Sequence, residues 1–217
     1  IQDRRRSPKN NPRADVVNYL VNTPVKLHSE TRMLTDAEII NMVDHLYIGG
    51  NETTTFALTS GLWMLIENPN LQTYLAENPQ KITTFVEEVL RLESPTQGMD
   101  RHTIEDVELS GISIPKGAHI HMRYAAANRD ENYFENPEEI NLERKKAGSH
   151  MAFGSGVHHC LGAPLARREL YWGFKAALDS FDDMWFAEGK NNFEYHPHYL
   201  LRSLKELHIE FTPNPKR

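Results

Sequence analysis

The stretch Phe153-Gly154-Ser155-Gly156-Val157-His158-His159-Cys160-Leu161-Gly162-Ala163-Pro164 contains the single cysteine of the 217-residue chain. Its three glycines allow backbone conformations with positive φ, which can aim N–H groups inward. Pro164 favours a helix that begins directly after the loop, and a helix N-terminus adds positive potential. Both features stabilise a thiolate. The stretch therefore predicts a loop that presents a reactive or metal-binding sulfur at Cys160.

Several familiar motifs fit this loop poorly. Adjacent His158, His159 and Cys160 cannot surround one tetrahedral zinc ion without large strain. The order Gly154-Ser155-Gly156 lacks the G-x-S-x-G spacing of a serine hydrolase. A dinucleotide fingerprint fails because His159 stands where its third glycine belongs. A cysteine protease stays open, but the loop best suits a thiolate presented to the metal of a planar cofactor.

Composition excludes other classes of protein. The chain is 39% hydrophobic and 9% aromatic, enough for a sizeable core, which excludes a disordered chain. It carries 24 basic and 30 acidic residues, a net charge of -6, whereas nucleic-acid coats and polybasic membrane binders need a cationic surface. The lone cysteine suits a reducing compartment, and the longest nearly uncharged apolar run, residues 56–66, is about half of the ~20 residues that a membrane span needs. We therefore expect a cytoplasmic protein that binds neither nucleic acid nor membrane.

Helical patterns dominate the sequence. Thr35 and Glu38 form a capping box, and apolar residues then recur at helical spacing with no proline before Pro69. This pattern predicts one helix of roughly 33 residues. Further helices are expected at about residues 14–22, at residues 69–76, from Pro79 onward with Asn78 as the N-cap, and from Pro164 onward.

Strand patterns are short. Alternating apolar residues over 107–122 predict one β-hairpin that turns at residues 115–117. Two more strands are expected near residues 193–196 and 207–211. Residues 128–162 are expected to form a long loop, which is typical of a functional connection. The patterns together predict a mainly α fold with small β-sheets.

Four motifs together resemble the cytochrome P450 family. Residues 153–162 match its haem-binding signature, F-x-x-G-x-H-x-C-x-G, at every defined position. Three further family motifs occur in the right order, namely Gly49-Gly50-Asn51-Glu52-Thr53-Thr54 as the oxygen-activation motif, Glu88 with Arg91 as the E-x-x-R pair, and Ala127-Asn128-Arg129-Asp130 with Phe134 as the segment before the loop. The resemblance covers nearly the whole chain.

The resemblance implies the cytochrome P450 fold with a long central helix and a proximal cysteine loop. Residues 1–217 are then the C-terminal, haem-ligating part of a single domain of the bacterial type. We expect its N-terminal part to be absent from this chain, because family members are much longer and carry the long helix in mid-molecule.

By the same resemblance, Cys160 is the axial ligand of the iron of haem b, where a thiolate favours O–O cleavage. Phe153 resembles the residue that packs beside the sulfur, and Gly154 belongs to the same cofactor-binding loop. Arg101 and His158 resemble the groups that meet the haem propionates through charge-assisted hydrogen bonds.

The long helix carries the expected catalytic pair. Glu52 and Thr53, an acid beside an alcohol, are expected to relay protons during oxygen activation. Gly49 and Gly50 are expected to leave room for the cofactor and ligand, because each glycine otherwise costs a helix interior roughly 1 kcal/mol relative to alanine.

Glu88 and Arg91 share a helix face and can form an ion pair, which the resemblance implies is buried and structural. The usual third partner is an arginine in a P-E-R-F-like segment, but this chain has Pro137-Glu138-Glu139-Ile140 there. That departure leaves Arg144 as the candidate third partner.

The resemblance also suggests surfaces for substrate and partner. Expected substrate-pocket residues are Leu46, Tyr47, Thr96, Gln97, Met99, Tyr199 and Leu200. Expected members of a basic patch that docks a ferredoxin or flavin reductase are Arg167, Arg168 and Lys175, with Lys145 and Lys146 in the loop. A solvated helix face is the alternative interpretation of these cations.

The implied function is a monooxygenase. It would insert one atom of O2 into an apolar small molecule, by hydroxylation or epoxidation, with electrons from NAD(P)H that arrive through partner proteins. The alternatives are a peroxide-driven haem-thiolate oxygenase and a non-enzymatic redox or gas sensor. Neither alternative needs an acid beside an alcohol, so Glu52 and Thr53 favour the monooxygenase.

Overall fold

The computed structural model describes residues 1–6, 15–27 and 30–215. The chain forms two compact units, Ile1–Asn51 and Glu52–Arg217. The division falls within the longest helix, Asp36–Glu67.

The first unit has a small core. Its elements are helices α1 (Gln2–Arg6) and α2 (Val16–Asn22), the antiparallel strands β1 (Val25–Leu27) and β2 (Glu30–Arg32), and the start of helix α3 (Asp36–Glu67). Asp15 caps α2, because its side chain accepts a hydrogen bond from Asn18 N at 2.7 Å. The helix predicted from residue 14 is thus observed from Val16, and Ala14 itself lies outside the described residues. The buried core residues are Val21, Leu34 and Ile39.

Helix α3 begins at the predicted capping box. Thr35 N donates to Glu38 Oε2 at 2.8 Å, and Glu38 N donates to Thr35 Oγ1 at 3.3 Å. Arg32 also donates to both carboxylate oxygens of Glu38, at 2.8 and 2.9 Å, and lowers the pKa of that carboxyl. Helix α3 is 32 residues long, which confirms the long helix that the sequence predicts.

The second unit holds the main core. Its helices are the rest of α3, α4 (Pro69–Glu77), α5 (Ile82–Glu93), α6 (Tyr124–Ala127) and α7 (Ala163–Ser180). Phe85 of α5 meets Phe174 of α7 edge to face, with ring centroids 5.0 Å apart. A Cβ at Gly61 of α3 would lie 2.1 Å from Cζ of Phe174, so glycine is what permits this packing. Helix α5 is buried along most of its length.

The strands of the second unit pair differently from the prediction. They are β3 (Met99–His102), β4 (Val107–Leu109), β5 (Ile112–Ile114), β6 (His119–Met122), β7 (Phe181–Phe186) and β8 (Ile209–Pro213). The single hairpin over residues 107–122 is wrong, because β4 pairs with β5 and β6 pairs with β3, both antiparallel. The β4–β5 turn is at Ser110 and Gly111, which both have positive φ, as a two-residue hairpin turn requires. Backbone hydrogen bonds join Thr103 to Gly117 and Ala118. They bring the chain back beside the end of β3, where β6 begins. Alternation alone does not say which strands pair.

Two other local predictions are wrong. Residues 193–196 form no strand, and Tyr195 makes only an isolated bridge with Leu204. The partner of β8 is β7 instead, which alternation did not reveal because it follows α7 without a turn and contains two adjacent aspartates. Asn78 does not cap the next helix: its side-chain amide donates to Tyr74 O at 2.9 Å. A 3₁₀ turn, Pro79–Lys81, precedes α5.

The long loop before the cysteine is observed. Residues 128–162 contain no α-helix or β-strand, only the 3₁₀ turns Ala147–Ser149 and Gly156–His158. Every described sheet has two strands, so the mainly α class with small sheets is confirmed. Among the described helices, none is both long and apolar enough to cross a membrane.

Candidate functional site

The cysteine loop folds back on itself just before α7. Gly154 and Gly156 have φ of 67° and 70°, in the region that favours glycine. Cys160 N donates to Phe153 O at 2.9 Å, and His159 N donates to Gly156 O at 3.0 Å. These bonds fix the backbone on both sides of the turn, as the loop sequence predicts.

Cys160 lies in a stretch that also exposes several apolar residues. Cys160 is a free, exposed cysteine, and its neighbours Val157 and Leu161 are 98% and 89% exposed. Leu165, on the first turn of α7, is 60% exposed. Exposed apolar side chains close to the cysteine in sequence mark a surface for an apolar ligand.

The cysteine-protease alternative for Cys160 loses support from the surroundings of the sulfur. A cysteine protease needs a base within hydrogen-bond reach of the sulfur. In the part of the chain that the structure describes, no histidine donates to or accepts from Cys160 Sγ.

Helix α5 provides the buried ion pair of the E-x-x-R motif. Arg91 Nε lies 2.8 Å from Glu88 Oε1, and both side chains are fully buried. Arg144 Nε lies 3.0 Å from the same oxygen, which confirms Arg144 as the third partner. Arg91 also donates to Asn128 O at 3.0 Å, and Phe134 packs against its guanidinium. A buried pair needs such additional hydrogen bonds to offset desolvation.

Asn128 connects this network to the cysteine loop. Its side-chain Oδ1 accepts from Met151 N at 2.6 Å, and its Nδ2 donates to Ser94 Oγ at 2.8 Å. The side chain is fully buried. The motif Ala127-Asn128-Arg129-Asp130 flagged this position in the sequence, but its contacts were not predicted.

A second carboxylate of α5 was missed. Glu87 accepts hydrogen bonds from Arg167 of α7 at 2.7 and 3.1 Å and from His150 of the loop at 3.0 Å. Burial opposes ionisation of Glu87, but the bonds from His150 and Arg167 outweigh it and lower its pKa to about 2. Only its place next to Glu88 could have signalled a role.

The expected propionate ligands lie on different elements. Arg101 is half-buried in β3, where its Nη1 donates to Asp100 O at 2.8 Å. His158 is exposed in the 3₁₀ turn of the cysteine loop. Sequence reasoning missed Asp100, which precedes Arg101 in β3 and whose Oδ1 lies 2.6 Å from His121 Nδ1 and 3.2 Å from His119 Nε2. The hydrogen bond from His121 lowers the pKa of Asp100.

The oxygen-activation motif lies on α3. Glu52 is exposed and Thr53 is half-buried at the start of the second unit. Gly49 and Gly50, in the first unit, are exposed, and a Cβ at either would meet no described atom within 4 Å. The packing of the described residues therefore does not itself demand glycine at these positions.

Most of the expected substrate segments lie together. Gln97 N donates to Leu200 O at 2.7 Å, and Thr96 bridges to Leu201. Tyr199 packs on His121, with ring centroids 4.9 Å apart, and Met99 is exposed in β3. The remaining two residues, Leu46 and Tyr47, are exposed on α3 in the first unit.

The expected basic patch is partly neutralised. Arg167 is paired with Glu87 at 2.7 Å, and Lys175 is paired with Asp179 at 2.6 Å. Arg168 is exposed between them in sequence. Lys146 lies over the ring of Tyr133 in the loop.

A family model, described as cytochrome P450, matches residues 1–207 of the chain. The chain belongs to the cytochrome P450 family. Curated cytochromes P450 agree with this. PksS of Bacillus subtilis, a polyketide biosynthesis cytochrome P450, is 38% identical over 98% of this chain and 50% of its own length. The biotin biosynthesis cytochrome P450 of the same organism is 34% identical over 97% of this chain and 50% of its own.

Solved cytochrome P450 structures share the fold. CYP150A6 of Mycobacterium marinum has a TM-score of 0.90 at 35% identity and covers 98% of this chain and 52% of its own. P450BioI, in complex with an acyl carrier protein ligated to hexadec-9Z-enoic acid, has a TM-score of 0.86 at 33% identity, over 97% of this chain and 51% of its own. The chain thus spans about half the length of the cytochromes P450 that it matches.

Haem b, the cofactor of cytochromes P450, fits the residues present. Cys160 offers a free sulfur on a fixed loop, and the exposed Val157 and Leu161 offer an apolar surface to a flat macrocycle. Arg101 and His158 are of the right chemical type for propionate groups. These residues would hold the cofactor.

Proposed function

We propose that this chain provides the haem-ligating portion of a monooxygenase that inserts one atom of O2 into an apolar small molecule. The observation that carries the proposal is the exposed Cys160, whose N donates to Phe153 O and which lies between the exposed apolar residues Val157 and Leu161 in sequence. In a cytochrome P450 a cysteine thiolate binds the haem iron.

When bound, haem supplies iron redox chemistry in which a thiolate ligand favours O–O cleavage. The residues of this chain supply binding and protons. Cys160 would hold the iron, and Arg101 and His158 would hold the propionates. The hydroxyl of Thr53 would donate a proton, and the carboxyl of Glu52, exposed on the same helix, would replace it from solvent.

The chain would then be the C-terminal, haem-ligating part of one cytochrome P450 domain. Its matches at about half the length of the curated relatives support this assignment. The remaining part of such a domain would complete the haem and substrate pockets.

We propose an apolar small molecule as the substrate, with hydroxylation or epoxidation as the reaction. The names of related cytochromes P450 refer to polyketide biosynthesis, to 25-hydroxylation of vitamin D3 and to an acyl chain on a carrier protein. The pocket residues Met99 and Tyr199, which are exposed apolar side chains here, support a substrate of that polarity.

Electrons would come from NAD(P)H through a ferredoxin or flavin reductase. Arg168 is the proposed centre of the docking surface, because Arg167 and Lys175 are paired with acids. A cytoplasmic location stays a prediction, which rests on the single cysteine of the chain.

Product formation by the haem-loaded protein tests the function. A monooxygenase forms product with O2, NAD(P)H and a ferredoxin system, and the Thr53→Ala variant should consume NAD(P)H while forming less product. Product with peroxide alone would instead indicate a peroxide-driven oxygenase. Haem binding without product under either condition would indicate a sensor. Thr59→Ala on the same helix is the matched control.

A further inference from the structure

Three side chains join α5, the cysteine loop and α7 through one carboxylate. Glu87 Oε1 accepts from Arg167 Nε at 2.7 Å, and Glu87 Oε2 accepts from Arg167 Nη2 at 3.1 Å and from His150 Nε2 at 3.0 Å. Nδ1 of His150 accepts from Ala152 N at 3.2 Å. The ring hydrogen of His150 therefore belongs on Nε2, where Glu87 accepts it.

Both partners of Glu87 pack on Phe153. The guanidinium carbon of Arg167 lies 4.6 Å from the centroid of the Phe153 ring, and the ring of His150 lies 5.8 Å from it. The carbonyl of Phe153 accepts the backbone hydrogen bond from Cys160. Glu87 is thus connected to the ligand residue through His150 and Arg167, then through Phe153.

We propose that Glu87 is a positioning residue that, through His150 and Arg167, holds Phe153 against the Cys160 loop and compensates the charge of Arg167 there. This inference rests on the proposed function, because it concerns the loop as a haem ligand. The hydrogen bonds that the structure describes for Glu87 go to His150 and Arg167 and not to Cys160.

The side chains of Glu87 and His150 are largely buried, which limits the conformations that they can adopt. The side chain of His150 is fully buried, and that of Glu87 is 13% exposed. Two parallel N–H bonds from one arginine to one carboxylate fix the plane of the guanidinium. A fixed plane above the Phe153 ring favours a cation–π contact, so the ring has little freedom to leave its place beside the loop.

The neighbouring carboxylate serves a different part of the chain. Glu88 binds Arg91, Arg144 and the backbone of Asn141, all outside the cysteine loop. The two adjacent acids of α5 therefore bind different segments. Glu88 binds the segment before the cysteine loop, and Glu87 binds side chains that pack on the cysteine loop.

Loss of the Glu87 charge should change the reduction potential of bound haem. In Glu87→Gln, the guanidinium of Arg167 keeps its positive charge beside the loop without a compensating carboxylate. Positive charge near a redox centre favours the reduced form. The reduction potential of bound haem should therefore rise in this variant.

The experiment uses the haem-loaded protein and two readouts. One is the reduction potential from a dye-equilibrated titration. The other is the rate, in mild denaturant, at which the reduced CO complex loses the absorption band of thiolate-ligated haem. The variants are Glu87→Gln and the double variant Glu87→Gln/Arg167→Gln. Glu169→Gln, which removes an exposed acid from α7, is the matched control.

Glu87→Gln should raise the potential and speed loss of the band about tenfold relative to the control, a change that corresponds to about 1.4 kcal/mol. The double variant should return the potential toward that of the parent while the band is still lost quickly. Equal behaviour of Glu87→Gln and Glu169→Gln would overturn the inference, as would a double variant whose potential departs further from the parent.

A parent protein without the thiolate band would instead refute the proposed function, so the two failures are distinguishable. If Glu87→Gln binds no haem, Arg167→Lys serves in its place, because lysine keeps the charge and loses the paired N–H bonds. It should speed loss of the band with an unchanged potential. A parent-like rate in Arg167→Lys would overturn the inference.

Discussion

Arg144 Nε lies 3.0 Å from Glu88 Oε1, inside the fully buried pair of Glu88 and Arg91. This contact ties residue 144 of the long loop to α5. Because Arg91 also donates to the carbonyls of Asn128 and Glu139, one buried network holds most of the segment that leads to the cysteine loop.

Glu88→Gln should be strongly destabilising, because it leaves two buried guanidinium groups without their counter-ion. Removing one partner of a buried pair costs about 3–5 kcal/mol. The measurement is the free energy of unfolding in a denaturant titration. Glu143→Gln, which breaks the exposed pair with Lys81, should change little. A Glu88→Gln effect as small as that of the control would contradict the buried network.

Alanine at two glycines of α3 should have opposite effects. Gly61→Ala places a Cβ against the ring of Phe174 and should cost about 1–3 kcal/mol through overpacking. Gly49→Ala meets no described atom and should stabilise the helix by about 0.5–1 kcal/mol. Unfolding titrations of both variants give the comparison. If Gly49 also clears space for ligand, Gly49→Ala should weaken substrate binding despite its stability.

The stability of the protein should depend on Glu87 at acid pH. Its pKa is about 2 when folded and about 4.3 for an ordinary glutamate, so the folded state holds this group ionised more strongly. Its stabilising contribution is complete above about pH 4.3 and is lost as the pH falls toward 2. The midpoint of urea unfolding between these pH values should therefore fall less steeply in Glu87→Gln than in the parent or in Glu169→Gln. Parallel slopes would show that Glu87 is not coupled to folding.

Charge reversal at Arg168 should slow reduction by an acidic partner and weaken its dependence on salt. Lys175→Glu should have a smaller effect, because Lys175 is already paired with Asp179. Stopped-flow reduction rates at several ionic strengths measure both. Equal rates for Arg168→Glu and the parent would remove this surface as the docking site.

The sequence predicted the elements that depend on local signals. The capping box at Thr35 and Glu38, the glycine-rich loop and the helix after Pro164 were all found, because each is encoded within a few neighbouring residues. Pairings over long distances were harder. Alternation in residues 107–122 could not show that β6 pairs with β3, and nothing local marks Phe181–Phe186 as a strand.

The contacts of the site divide in the same way: those that local motifs encode were predicted, and those between residues far apart in sequence were not. Motif spacing identified Cys160 and the pair Glu88–Arg91, and the departure at residues 137–140 led to Arg144. The partners of Glu87 were missed, because His150 and Arg167 lie 63 and 80 residues away in sequence and meet only through tertiary packing. Neutralisation of Arg167 and Lys175 was missed for the same reason, since a sequence shows charges but not which of them are paired.

The central claim is that Cys160 binds haem iron as a thiolate, and the reduced CO-difference spectrum of the haem-loaded protein tests it most directly. The parent should show a Soret band at about 450 nm, the position that a thiolate ligand produces. Cys160→Ser should abolish this band, whereas Ser155→Ala in the same loop should retain it. A parent spectrum typical of histidine-ligated haem, or a thiolate band that survives in Cys160→Ser, would contradict the account.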